Sequence, residues 1–369
     1  MLKRPRRITV LLSKLRLGGA ETQAVRLVEQ LAERGWECRV LSLLPVEDYA
    51  EDLAAAGASV GCLGLRGFTN LPVALFNLAK DLKRYPPDVL LTLTFHANVF
   101  GKIVGRVVGV PTVVASIRSE IFGGFGRDLL EKWTEPLADC TVVNSQIVGG
   151  KLVDRGILKP DRFVVVPNAV VSQEVLNRTA RDREDLVWLN VGRLVVAKGQ
   201  KILLEAFSSV HRVNPNARLL IAGDGALAPD LTEAISALGL QESVTLLGNR
   251  WDVPELMAKA DFYVSSSLWE GMPNAVLEAM ATGLPFVATD VGGIRELLSD
   301  QAGNRLVPAG NRQALAEAML SMMQQPGEEL HAMSSENHAF IRAHHEPVVV
   351  TDHWEGLFVK LFDSRKKAQ

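Results

Sequence analysis

The chain has 369 residues, more than one hydrophobic core usually organises, so two domains of about 150–200 residues are expected. Hydrophobic residues at 47% and charged residues at 22% exclude a largely disordered chain. Three well-separated cysteines (Cys38, Cys62, Cys140) exclude a disulfide scaffold or a thiolate zinc site and read as core thiols in a reducing compartment. The net charge of −2 hides an asymmetry. Residues 1–170 hold 22 Lys and Arg against 17 Asp and Glu, and the remainder holds 18 against 25. Either the first half meets something anionic, or its charges are unevenly spread solvated faces. No nucleic-acid partner is expected.

The basic start (Lys3, Arg4, Arg6, Arg7) precedes an apolar run, 8–12, too short for a signal segment, and Lys14 and Arg16 follow. It reads as a lead into a first strand. No run approaches the ~18 apolar residues of a membrane span. The richest stretch, 97–117, is broken by Lys102, Arg106 and Pro111. Strands are predicted at 8–12, 38–43, 59–63, 89–92, 112–116, 141–143 and 163–166, with amphipathic helices such as 21–34 and 71–84 between them. Near-continuous Val/Ile/Leu runs indicate strands buried on both faces of a parallel sheet. After a polar stretch read as a linker (171–185), a second series follows at 186–191, 218–222, 243–247, 262–265, 285–288 and 305–307. The last helical segment, 349–362, carries Trp354, Leu357, Phe358 and Leu361. The repeated strand–helix rhythm means doubly wound α/β domains, whose ligands sit beyond the carboxyl ends of the strands. Two such domains facing each other would form a cleft for a two-substrate reaction.

The loops after strands carry the chemistry. Gly18-Gly19 lies between the first strand and its helix, where glycines admit close backbone approach and a helix start favours an anion. A tight turn without ligand is the other reading. Gly223-Asp224-Gly225-Ala226-Leu227-Ala228 satisfies the dinucleotide fingerprint, but the acidic residue about 20 positions on is missing, and nicotinamide chemistry is disfavoured. Arg193 and Lys198, flanked by Gly192 and Gly199, suit two neighbouring phosphates, as a fork and a point charge. Glu270 sits in a loop before Gly271-Met272-Pro273-Asn274. A helix is predicted to open near Pro273 and to carry Glu278, and Gly292-Gly293 marks a similar loop further on. Taken singly, Glu278 is also an ordinary helix carboxylate favoured by the dipole.

The run from Glu270 to Glu278 resembles the Glu-x7-Glu signature of glycosyltransferases of the glycogen-synthase-like group, family 4. The loops at Gly18-Gly19, Gly192 to Gly199, Gly223-Asp224-Gly225, Gly248 to Asp252 and Gly292-Gly293 follow in that family's order. The resemblance covers nearly the whole chain. It implies a GT-B fold, two facing Rossmann-like doubly wound α/β domains with a C-terminal crossover helix. Residues 1–170 with 349–369 would then bind the acceptor and 186–348 the nucleotide sugar. It further implies a retaining, metal-independent transfer from a nucleotide-diphosphate sugar, most commonly a UDP-sugar, to a hydroxyl of a glycan or lipid-linked acceptor. Cell-surface polysaccharide, lipopolysaccharide or glycolipid synthesis is the setting. No cofactor is expected. On this resemblance Arg193 and Lys198 hold the diphosphate, Glu270 lies near the donor sugar, and Glu278 takes the ribose hydroxyls. Gly271, Met272, Pro273 and Asn274 pass beneath the sugar and phosphates, Gly18 and Gly19 approach the donor, and Asn249 and Arg250 lie near the base. The departing phosphate deprotonates the acceptor.

The chain departs from the family in two places. Where many members carry a histidine after the strand at 112–116, this sequence has Arg118. A guanidinium is no base, its pKa staying above about 12, but it can neutralise a phosphate or charged sugar. His96 ends another strand and reads equally as a sugar contact or a satisfied helix-start histidine. The family's Pro-Asn-Gly hinge reads Pro167-Asn168-Ala169, where positive φ is less comfortable, and Asn168 is assigned no chemical role. The basic first half, with Lys3, Arg4, Arg6, Arg7, Arg16, Arg106 and Arg127, points to peripheral contact with an anionic membrane, on the inner face of the cytoplasmic membrane, and the flexible aromatic loop Ile121-Phe122-Gly123-Gly124-Phe125-Gly126 is expected to face the acceptor. Two rivals share the fold. A sugar-nucleotide epimerase would act without acceptor through acid/base groups around the sugar, and a non-catalytic sugar-nucleotide-binding protein would bind donor without turnover.

Overall fold

The computed structural model describes residues 6–119, 121–172, 186–298 and 303–368. The chain divides into two compact units, Met1–Ala169 with Pro347–Gln369, and Val170–Glu346. All but Val171 and Ser172 of the expected linker lies outside the described residues.

The first unit carries strands β1 (Arg7–Leu12), β2 (Glu37–Ser42), β3 (Ser59–Cys62), β4 (Val89–Leu93), β5 (Thr112–Ile117), β6 (Cys140–Val143) and β7 (Phe163–Val165). Between them run α1 (Gly19–Glu33), α2 (Ala50–Ala55), α3 (Leu71–Arg84), α4 (Phe95–Val107), α5 (Phe125–Thr134) and α6 (Gln146–Asp154). The strands pair in parallel in the order β3-β2-β1-β4-β5-β6-β7. In the second unit the strands are β8 (Val187–Val191), β9 (Arg218–Ala222), β10 (Val244–Gly248), β11 (Phe262–Ser265), β12 (Phe286–Thr289) and β13 (Arg305–Val307). Its helices are α7 (Gln200–Val213), α8 (Ala228–Ala237), α9 (Val253–Lys259), α10 (Asn274–Ala281), α11 (Arg312–Met323) and α12 (Gly327–His344). That sheet is also parallel and ordered β10-β9-β8-β11-β12-β13. In each sheet the winding reverses once, between β1 and β4 and between β8 and β11, which is where a doubly wound sheet receives its ligand.

Every residue of β4, β5, β6, β11 and β12 is buried, the burial expected of unbroken apolar runs flanked by helices on both faces. The last helix, α13 (Pro347–Ala368), belongs to the first unit. Val350, Trp354, Leu357 and Phe358 enter that unit's core beside Val28, Leu31 and Trp36. Arg34 Nη1 donates to Asp352 and Glu355, and Trp36 Nε1 to Glu355 Oε1 at 2.8 Å. This is the GT-B architecture, with its last helix returned to the first sheet. Cys62 departs from its reading as a core thiol. It is exposed at the end of the edge strand β3, while Cys38 and Cys140 are buried and their thiols are pushed up by burial to about 12 and about 11.

Within the first unit, α4 and α5 are joined by an ion pair with no solvent around it. Lys102 Nζ donates to Glu131 Oε1, and the two side chains are 0% and 1% exposed. Burial lowers the Lys102 pKa and raises that of Glu131, the direction of two charges taken out of water. Replacing one partner is expected to strand the other. Lys102→Met or Glu131→Leu alone should cost about 3–5 kcal/mol in urea unfolding, and the double replacement should be close to neutral or stabilising.

Candidate functional site

The loops after β8 and β11 meet at the reversal point of the second sheet. The β8 loop turns through a short 3-10 segment, Val196–Lys198, into Gly199 at φ 62°. A Cβ at Gly199 would stand 2.1 Å from Ser266 O of the β11 loop, so only glycine admits the contact. Ser266 Oγ donates to Lys198 O at 2.9 Å, and Leu268 N to Ala197 O at 2.8 Å. These bonds bring Lys198 and Glu270 together. Lys198 Nζ donates to Glu270 Oε1, and Ser267 Oγ donates to the same oxygen at 2.7 Å. Both bonds fall on Oε1, so Oε2 has no partner among the described residues. The ammonium uses one of its three donors.

Two neighbouring loops brace this pair through main-chain contact. Gly223, at φ 138°, would place a Cβ 2.0 Å from Gly192 O, and Gly225 would place one 2.4 Å from Leu194 O. Gly192 N donates to Ala222 O and Leu194 N to Asp224 O, both at 2.9 Å. The glycines that imitate a dinucleotide fingerprint are thus spent on seating the Arg193 loop against β9. On the other side Gly292, at φ 54°, would place a Cβ 2.3 Å from Glu270 O, Gly293 N donates to Gly271 O at 2.6 Å, and Thr289 Oγ1 donates to Ser267 O at 2.6 Å.

Helix α10 opens at Asn274, with Pro273 as its N-cap, one position earlier than a first-turn proline. Gly271, Met272 and Pro273 are buried in the turn before it, and Glu278 stands in its second turn. The Tyr263 hydroxyl, which donates to Val191 O at 3.4 Å, is raised in pKa by burial and then by the charges of Glu270 and Glu278. Arg193 is exposed, its loop held by Gln200 Nε2 on Arg193 O at 3.0 Å, and its guanidinium has no partner among the described residues. Arg250 is clamped to Asp252 at the surface, beside Asn249. Sequence reasoning left Tyr263, Ser266, Ser267, Thr289 and Gln200 unassigned. The Ser265-Ser266-Ser267 run was the visible signal for two of them, and Tyr263 is masked by lying inside a strand.

Gly18, Gly19, His96 and Arg118 belong to the first unit, Gly18 and Arg118 on the loops after β1 and β5, Gly19 and His96 in the first turns of α1 and α4. Gly18 caps α1 with extended backbone, its O accepting from Thr22 Oγ1 at 2.9 Å. At that sheet's reversal point Thr94 adopts φ 74°, unusual for a β-branched residue, and donates through Oγ1 to Ser13 Oγ at 2.6 Å. Ser13 Oγ in turn accepts from Ala97 N at 3.2 Å. His96, second in α4, packs edge-on to Phe95. Arg118 donates to Ser116 Oγ at 3.0 Å and to Asn168 Oδ1, both neutral. Burial pushes its pKa down to about 10, below the expected floor of 12, yet it stays charged at neutral pH. Asn168 thus holds the arginine, and Ala169 avoids positive φ. Ala169 N instead donates to Gln23 Oε1 at 2.6 Å, and Ala169 O accepts from Gln23 and Arg26. In the aromatic loop Phe122 is buried, whereas Ile121 and Phe125 are exposed. No three His, Cys, Asp or Glu cluster as ion ligands among the described residues.

Two family models match the chain in succession, glycosyltransferase family 4 over residues 17–174 and glycosyl transferases group 1 over residues 185–325. An uncharacterised glycosyltransferase of Methanocaldococcus jannaschii is 30% identical over 248 residues, 60% of this chain and 61% of that protein, so the chain spans about three fifths of its length. The Escherichia coli UDP-Gal:alpha-D-GlcNAc-diphosphoundecaprenol alpha-1,3-galactosyltransferase is 28% identical over 300 residues, 75% of this chain and 76% of its own. Among solved structures, Anabaena HepE in complex with UDP and glucose superposes with a TM-score of 0.82 at 19% identity, covering 96% of this chain and all of that one.

Burial first, and the nearby Arg127 charge second, lower the His96 pKa. The imidazole is therefore neutral at pH 7. Its contribution to stability is present above the unfolded pKa and lost as pH falls through the folded value. An NMR titration should place its midpoint below that of a free histidine, and Arg127→Ala should raise it.

Proposed function

The chain belongs to glycosyltransferase family 4, and from that premise we propose a retaining transfer of a sugar from a nucleotide-diphosphate donor, a UDP-sugar, to a hydroxyl of a lipid-linked or glycan acceptor. The observation that carries the reading is the Lys198–Glu270 pair at the reversal point of the second sheet. With one donor on Glu270, the ammonium keeps two for diphosphate oxygens, and the exposed Arg193 supplies a planar fork for the same group. Glu270 Oε2 accepts from a hydroxyl of the donor sugar, and Glu278 accepts from the ribose. Gly271 to Asn274 lie beneath the sugar and phosphates, with the start of α10 adding its dipole. Asn249 and Arg250 are assigned to the base, and Gly18 and Gly19 to donor contacts.

In the reaction the bond from the anomeric carbon to the β-phosphate oxygen breaks, and a bond from that carbon to the acceptor oxygen forms on the same face. The acceptor proton passes to the departing phosphate. Lys198 and Arg193 accelerate the step by neutralising charge that grows on the diphosphate as it leaves. His96, neutral, and Arg118, charged and held by neutral partners, serve sugar or acceptor contacts. No helix among the described residues is long and apolar enough to cross a membrane. The basic first unit and the lipid-linked substrate named for the Escherichia coli relative support peripheral work on the inner face of the cytoplasmic membrane.

Lys198→Ala is expected to lower donor turnover at least about 100-fold, roughly 3 kcal/mol of barrier, without unfolding the protein. Turnover equal to the parent's would remove Lys198 from the diphosphate. A thermal-shift series with UDP-, GDP- and ADP-sugars should raise the unfolding midpoint with the UDP compounds, by mass action on the folded state. A shift confined to another base would overturn the choice of UDP.

A further inference from the structure

Helix α5 is built inside out. A surface helix normally turns its apolar stripe to the protein and its polar face to water. Here Glu131 and Thr134 are buried, while Phe125 is 82% exposed, Trp133 67%, and Leu130 also faces out. The two-glycine turn before it (Gly123 at φ 97°, Gly124 at φ 123°) sets Ile121 outside as well. The Lys102–Glu131 pair fixes this orientation, since α5 cannot rotate without drawing Glu131 from its buried partner. Arg106 Nε donates to Leu137 O beyond the helix end, which holds α4 alongside α5.

Charge distinguishes what covers such a face. Each carboxylate between 121 and 139 is paired with a cation of the same unit: Asp128 with Arg155, Glu131 with Lys102, Glu135 with Arg162, Asp139 with Arg106. Among the described residues, the exposed charges beside the apolar ones are Arg127 and Lys132. Phenylalanine, tryptophan and leucine flanked by cations, with the acids neutralised, are the makings of an interfacial anchor.

We propose that the outward face of α5, with the turn ahead of it, is a docking surface for an anionic lipid bilayer. The proposal deepens the membrane contact inferred above and rests on it for its setting. Its test uses no donor or acceptor. The full chain is sedimented with phosphatidylcholine vesicles, with and without phosphatidylglycerol. Phe125→Ser/Trp133→Ser should weaken partition at least about 10-fold on the anionic vesicles, as expected from losing two partly inserted aromatic side chains. Lys132→Glu should weaken binding to the anionic vesicles only, and the unfolding midpoint of both variants should match the parent's. Three results would overturn the proposal: no vesicle binding by the parent at low salt, undiminished binding by the aromatic double variant, or a concentration-dependent dimer that this variant abolishes. Failure of transfer to a lipid-linked acceptor would leave the vesicle result standing, and loss of vesicle binding would leave donor turnover standing.

Discussion

A short contact between an ammonium and a carboxylate organises the second unit's ligand edge. Lys198 arrives on the loop from β8 and Glu270 on the loop from β11, the two strands between which the sheet's winding reverses. Apart, each would be a solvated loop charge of little consequence. Together, and with Ser267 on the same oxygen, they hold each other at a fixed separation while keeping free valences: two donors on one side, one acceptor oxygen on the other. That combination is what a charged leaving group beside a hydroxylated ring requires. It is also the basis of the proposed division of roles, the cation toward phosphate and the carboxylate toward sugar.

Side chains alone do not hold that separation. The loops after β8, β9, β11 and β12 touch main chain to main chain, at Gly199 on Ser266, Gly223 on Gly192, Gly225 on Leu194 and Gly292 on Glu270. A methyl group at any of these points would overlap a carbonyl oxygen. Preorganisation here is steric and written in the backbone, and it costs the site no flexible side-chain contacts that a substrate would have to reorder.

The sequence was informative where one local signal sufficed. Continuous apolar runs located the strands to within about one residue at most ends, because a strand buried on both faces leaves no room for polar interruption. Gly192, Gly199, Gly271 and Gly292 marked the loops that matter, and Glu270 with Lys198 stood out against them. What required coordinates was anything depending on partners distant in the chain. The Gly223–Gly225 pattern has a cofactor's spacing but a neighbouring loop's purpose. Arg118 is recognisable as a cation, but not as one held by the neutral side chains of Ser116 and Asn168. Helix α5 begins at Phe125, inside the stretch whose glycines read as a loop. Nothing in residues 125–134 tells which side faces in, and that is decided by Lys102, more than twenty residues earlier.

The return of α13 to the first unit bears on how the protein is made. Trp354 and Phe358 complete a core whose other members, from β1 onward, precede the whole second unit in the chain. All of Val170–Glu346 is translated in between, on the order of ten seconds or more at ordinary elongation rates. Throughout that interval the nascent first lobe exposes the apolar flank of Val28, Leu31 and Trp36. A nonsense mutation at or before Trp354 would therefore injure the core of the first unit, and chaperone demand during synthesis should fall on that same flank.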